Sequence, residues 1–122
     1  MTRIIEIYSR LDALDEFLAL MLKQPDTYRA RMIIERITDL VEHVDHVNAV
    51  MWRQQERGRL SDFEACYILP AVSEISLQVK QELTVNSRSL CELAGCITGL
   101  ISLVSFYLAS IEGNNDKNRV LH

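Results

Sequence analysis

Residues 93–111 read LAGCITGLISLVSFYLASI, nineteen residues without a charge, whereas every earlier stretch of similar length carries several. Whatever buries this segment decides the architecture. As a run of letters it reaches the length of a membrane span, about 20 residues for a 30 Å hydrocarbon core. Gly95 and Gly99 also form a GxxxG pair, which lets helices approach closely in membranes. In helical register the segment has two sides. Gly95, Thr98, Ser102, Ser105 and Ala109 fall at steps of three and four, with Gly99 beside them, while Ile97, Leu100, Leu103, Val104, Phe106, Leu108 and Ile111 occupy the opposite side. The flanking cations Arg88, Lys117 and Arg119 give no clear membrane orientation.

Three amphipathic segments precede this one and need a surface to pack on. In the first, from Thr2 to about Lys23, Ile4, Ile7, Leu11, Leu14, Leu18 and Met21 form a three–four seam. Ile5, Tyr8, Phe17 and Leu22 widen it toward the core. Gln24-Pro25-Asp26 breaks that helix, because proline disfavours helical backbone at the residue before it and Asp26 can cap the next helix. The second helix is expected over Thr27 to Arg57, with Ile33, Ile37, Leu40, Val44, Val47 and Met51 as its seam and Gly58 as its stop. It would be roughly 45 Å long at about 1.5 Å per residue.

Ser61-Asp62-Phe63-Glu64 has the spacing of a capping box and opens a third helix. Pro70 interrupts it, yet Ile68, Val72, Ile75 and Val79 keep helical spacing through the proline. One element kinked at Pro70 and ending near Leu83 is therefore expected. Thr84-Val85-Asn86-Ser87 is a short connection. Asn86, Ser87 or Ser89 can cap the last helix, and Ser89 with Glu92 makes a second capping box. That helix should end near Gly113, leaving 114–122 as a polar, mobile tail.

The expected fold is all-α: an antiparallel four-helix bundle with its third helix kinked at Pro70, one domain over 1–113, with a homodimer as a further option. With 48% hydrophobic and 25% charged residues, disorder is not expected, and four glycines and two prolines are too few for the turns of an all-β fold. A net charge of −4 supplies no global field for nucleic acid. Cys66, Cys91 and Cys96 show no CxxC spacing, which points to buried thiols in a reducing, cytoplasmic setting. The N-terminus mixes acids with apolar residues and offers no small-residue cleavage site, so no signal peptide is expected.

Candidate chemistry clusters on the second helix. Asp39, Glu42, His43 and His46 can share a face, but one helix alone supplies no complete coordination set, so no metal or other cofactor is expected. Arg36 and His43, with six residues between them, resemble the Arg-then-His element of HEPN-type helical ribonucleases. That resemblance covers two residues and implies a histidine acid or base beside an arginine stabilising phosphoryl charge. No nucleophile motif or phosphate-binding glycine loop accompanies them.

Trp52, Arg53, Arg57 and Arg59 gather aromatic and guanidinium groups of the kind enriched at interface hot spots. The function expected is therefore a non-enzymatic, protein-binding helical module: a small regulator, adaptor, chaperone or inhibitor. A tail-anchored membrane protein using residues 93–111 is the first alternative. A small helical ribonuclease or metal-binding enzyme using the second helix is the lesser one. The line Gly95, Thr98, Gly99, Ser102, Ser105, Ala109 is expected to be where another helix, of the same chain or a second one, comes closest. Leucine at Gly99 or Ser102 should then overpack the contact at about 1–3 kcal/mol.

Overall fold

A computed structural model describes the backbone of residues 2–23, 27–83 and 89–120, with side chains over 2–23, 31–83 and 89–113. The chain is all-α. It comprises α1 (Thr2–Lys23), α2 (Thr27–Glu56), a π-helical turn (Glu64–Ile68), α3 (Leu69–Leu83) and α4 (Leu90–Val120), with no strand among the described residues. The connections expected at Gln24–Asp26 and Thr84–Ser87 lie outside the described residues, as do the side chains of the tail.

The core follows the seams. On α1 the buried residues are Ile4, Ile7, Leu11, Leu14, Leu18 and Met21. On α2, Ile33, Ile37, Leu40, Val44, Val47 and Met51 are buried. Both sets repeat at three and four because a 3.6-residue turn presents one face to its neighbours. The wider stripe expected on α1 is only partly present. Tyr8 and Phe17 pack against the core, but Ile5 and Leu22 remain exposed, since each sits a step beyond the face that α2 and α4 cover. α1 packs against α4 and α2, and α3 packs against α2 and α4, so each helix has two neighbours.

Polar ties mark how the helices meet. The Arg3 guanidinium donates to Gln54 Oε1 at 3.0 Å. The Arg36 guanidinium lies 4.2 Å from the Phe17 ring centroid, a cation–π contact. Lys80 and Asp45 form an ion pair between α3 and α2.

Two ends are built as their sequences imply. Gly58 adopts φ +65°, and its N–H bonds Gln55 O at 3.0 Å while the Arg59 N–H bonds Gln54 O at 2.9 Å. This is a Schellman closure of α2, one residue earlier than Arg57. At the next start, Ser61 N–H donates to Glu64 Oε1 at 3.2 Å and Glu64 N–H donates to Ser61 Oγ at 3.2 Å. The Ser61 hydroxyl also reaches Glu64 Oε1 at 3.0 Å. The reciprocal pair is the capping box that the spacing implied.

Pro70 is accommodated upstream. The backbone stays helical from Asp62 to Leu83, but Glu64–Ile68 widens into a π turn, with the Leu69 N–H bonding Glu64 O. Proline has no N–H to donate, and its ring crowds the carbonyl four residues back. A wider turn relieves that crowding without ending the helix.

One boundary differs from expectation. α4 runs on through Gly113 to Val120 rather than stopping near the glycine. Among the described glycines only Gly58 takes the left-handed φ that closes a helix, so Gly113 supplies no stop.

Hydrogen bonding from Ser61 holds the Glu64 carboxyl below its ordinary range. The carboxylate's contribution is therefore present above that range and is lost as pH falls through the lowered value. Urea denaturation of Ser61→Ala at neutral pH should show a loss of about 1 kcal/mol, shrinking once Glu64 is protonated. Gly58→Ala should cost about 1–2 kcal/mol at any pH, because the left-handed backbone there penalises a Cβ.

Candidate binding surface

α4 turns only one narrow face toward the core. Ile97, Leu100, Val104 and Ile111 are buried, and Leu93, Cys96, Ile101, Leu103, Tyr107 and Leu108 pack around them. Phe106, expected on the greasy side, is instead 67% exposed. The 24-residue segment Leu90–Gly113 is long and apolar enough to cross a membrane, yet only 22% of the 18-residue window within it is buried. About half of this apolar segment is thus exposed.

The line of small residues faces outward. Gly95, Thr98, Gly99, Ser102, Ser105 and Ala109 are all exposed. A Cβ built at Gly95 or Gly99 would meet nothing within 4 Å. Among the described residues no helix makes the close approach expected there, because the flanking helices sit on the Ile97–Val104 side. The Thr98 hydroxyl turns back to Ala94 O at 2.9 Å, a local bond that needs no partner helix.

Beside this line runs a groove of about 600 Å³ between α3 and α4. Gly95, Cys96, Gly99, Leu100 and Leu103 form its floor, and Glu74, Gln78, Glu82 and Glu92 its rim. Gln78 donates to Glu74 Oε1 at 3.0 Å, which fixes one edge. Glu92 stands in the first turn of α4, whose start is capped by Ser89 Oγ accepting from the Glu92 N–H at 3.2 Å. A carboxylate there is also favoured by the helix dipole. Sequence reasoning missed this rim. The spacing of Glu74, Gln78 and Glu82 at four and four was its one local signal.

The residues nominated near the end of α2 are all exposed and differ in what they touch. Trp52 is 47% exposed, but its indole N–H donates to Ser73 Oγ at 3.1 Å, and that hydroxyl donates to Asn48 Oδ1 at 3.0 Å. Its ring edge is therefore part of the α2–α3 contact. Arg53 is exposed and reaches back to Ala49 O at 3.4 Å, while Arg57 and Arg59 lie exposed around the Schellman turn.

The polar cluster on α2 is likewise divided. Asp39, Glu42 and His46 are exposed, whereas His43 is half-buried against α1. Among the described residues, no three histidine, cysteine or acidic side chains gather as a metal site would require. Arg36 and Asp39 line a small cavity of about 170 Å³ with Arg10. His43 faces Arg10, Glu6 and His46, and its Nε2 is buried without a hydrogen-bond partner.

Burial lowers the pKa of His43, Arg10 and His46 lower it further, and Glu6 opposes them. A histidine kept neutral when folded binds fewer protons than in the unfolded chain. Stability is then intact above the ordinary pKa of 6.5 and declines as pH falls below it. Thermal melts from ~pH 7 to ~pH 5 should show that decline, and His43→Gln should flatten it. A second pair of variants separates the two sides of α4. Ile97→Ala should cost about 2–5 kcal/mol in urea, whereas Gly99→Ala should raise stability by about 0.5–1 kcal/mol, since a helical glycine with open space above it gains from a methyl group.

Comparison with known proteins finds no match for the chain: no family model, no curated protein and no solved structure.

Proposed function

We propose that the chain is a non-enzymatic, protein-binding helical module of the regulator, adaptor, chaperone or inhibitor kind. The observation that carries this reading is α4, whose outward face, from Gly95 to Ala109 with Phe106, is left uncovered by its own fold. Helical modules commonly engage partners by laying apolar helix faces into grooves. The framework is one domain over 1–113, an antiparallel bundle bent at Pro70, with 114–122 as its tail. Arg3 with Gln54 and Phe17 with Arg36 support opposite directions for α1 and α2. Asp45 with Lys80 and Asn48 with Ser73 support the same for α2 and α3. The π turn before Pro70 supports the bend.

Trp52, Arg53, Arg57 and Arg59 provide a second contact edge, offering the exposed face of the indole rather than its N–H. Cys66 and Cys91 are exposed and Cys96 is half-buried, not buried as expected, so a reducing, cytoplasmic setting is what would keep these thiols free of disulfides. A homodimer through α4 is a subsidiary form of the same reading. The second reading is a membrane span over Leu90–Gly113, favoured by its length and low charge.

A photo-crosslinking residue placed at Phe106 in the full chain, expressed in its native host, tests the proposal. A discrete protein adduct is expected from position 106 and not from Asp12, which is exposed on α1. Recovery of the chain only in the detergent-extracted membrane fraction, without a protein adduct, would favour the span.

A further inference from the structure

We propose that the groove between α3 and α4 receives a basic, amphipathic helix of another protein; this rests on the protein-binding reading and names the partner's chemistry. Three features of the groove converge on that occupant. The first is its floor. Gly95 and Gly99 lie one turn apart with nothing over them, although helix-interior glycines weaken a helix relative to alanine. Among the described residues, none uses the space they leave. A second backbone approaching α4 would use it, as small residues one turn apart allow helices to come close.

The second feature is shape. Cys96, Leu100 and Leu103 give the floor an apolar surface, and its volume of about 600 Å³ is open along α4 from Gly95 to Leu103. Eight residues of rise is about 12 Å, or two helical turns of an incoming helix. An occupant matching it presents apolar side chains at three–four spacing.

The third feature is charge, and it selects among occupants. Glu74 and Glu82 from α3 and Glu92 from α4 edge the groove, and no lysine or arginine is among its described lining residues. Lysine or arginine on both flanks of the incoming helix would meet these carboxylates. A second copy docking by two-fold symmetry would instead bring the same glutamates against one another. Anionic lipid headgroups and nucleic acid would be repelled for the same reason.

The test uses the full chain and two dye-labelled 18-residue peptides, read by fluorescence anisotropy. Both carry leucines at three–four spacing; one is flanked by lysines and the other by glutamates. The Leu/Lys peptide should bind saturably at one per chain, and the Leu/Glu peptide at least tenfold more weakly. Glu74→Gln with Glu92→Gln should weaken Leu/Lys binding at least fivefold. Asp12→Asn with Glu16→Gln changes net charge equally on the exposed side of α1 and should leave binding unchanged. Gly99→Leu should also weaken binding while the chain's melting temperature does not fall.

Equal affinity for the two peptides, equal loss in the two double variants, or indifference to Gly99→Leu would overturn the proposal. Self-association abolished by Gly99→Leu would overturn it in favour of a second copy, and sedimentation with phosphatidylserine vesicles in favour of a bilayer. The general reading is judged apart from this. A protein adduct from position 106 with no peptide binding removes the groove alone, and failure of both removes protein binding.

Discussion

The constraint on which the structure depends is that α4 has only one side to give. α1 and α3 flank it, and Ile97, Leu100, Val104 and Ile111 are the described α4 residues that become fully buried between these two neighbours. Apolar burial is worth about 25 cal/mol per Å², so the face packed best with the seams of α1 and α3 becomes the inner one. Everything outward on α4 is then left to water or to another molecule. A helix with charged residues on its outer face would raise no question. Here the outer face is largely glycine, small hydroxyl residues, alanine and one phenylalanine, and among its described residues charge stands only at the two ends, at Glu92 and Glu112.

The packed helices are held in register by polar contacts that cost little to keep. Arg3 with Gln54 ties α1 to α2, and the relay from Trp52 through Ser73 to Asn48 ties α2 to α3. Such bonds contribute about 0.5–1.5 kcal/mol each, so they choose an arrangement more than they drive folding. The placement of α4 rests chiefly on apolar packing against α1 and α3. The His43 ring lies in the α1–α2 interface beside Arg10, where a proton is disfavoured. That makes the interface sensitive to acid.

Much of this was legible in the chain. The seams of α1 and α2 could be read residue by residue, because one side of each helix is apolar and the other charged. The Schellman stop at Gly58 and the Ser61–Glu64 box were legible for a different reason: they are local hydrogen-bonding patterns spanning a few residues. α4 resisted the same treatment. Val104 and Phe106 are equally apolar letters two positions apart, and only the neighbouring helices decide that one is buried and the other exposed. Pro70 announced a disturbance but not the π turn that absorbs it. Gly113 looked like a stop, yet a glycine stops a helix only by taking a left-handed backbone. The acidic rim was beyond reach because Glu74 and Glu92 meet only when α3 and α4 are side by side.

The claim that α4 offers its outer face to other molecules is tested most directly by hydroxyl-radical footprinting of the purified full chain. Phe106 should be oxidised at a rate near that of an unfolded control, while Val104 and Ile97 stay protected. Protection of Phe106 equal to that of Val104 would contradict the account, since the chain itself, or a second copy, would then already cover the outer face of α4.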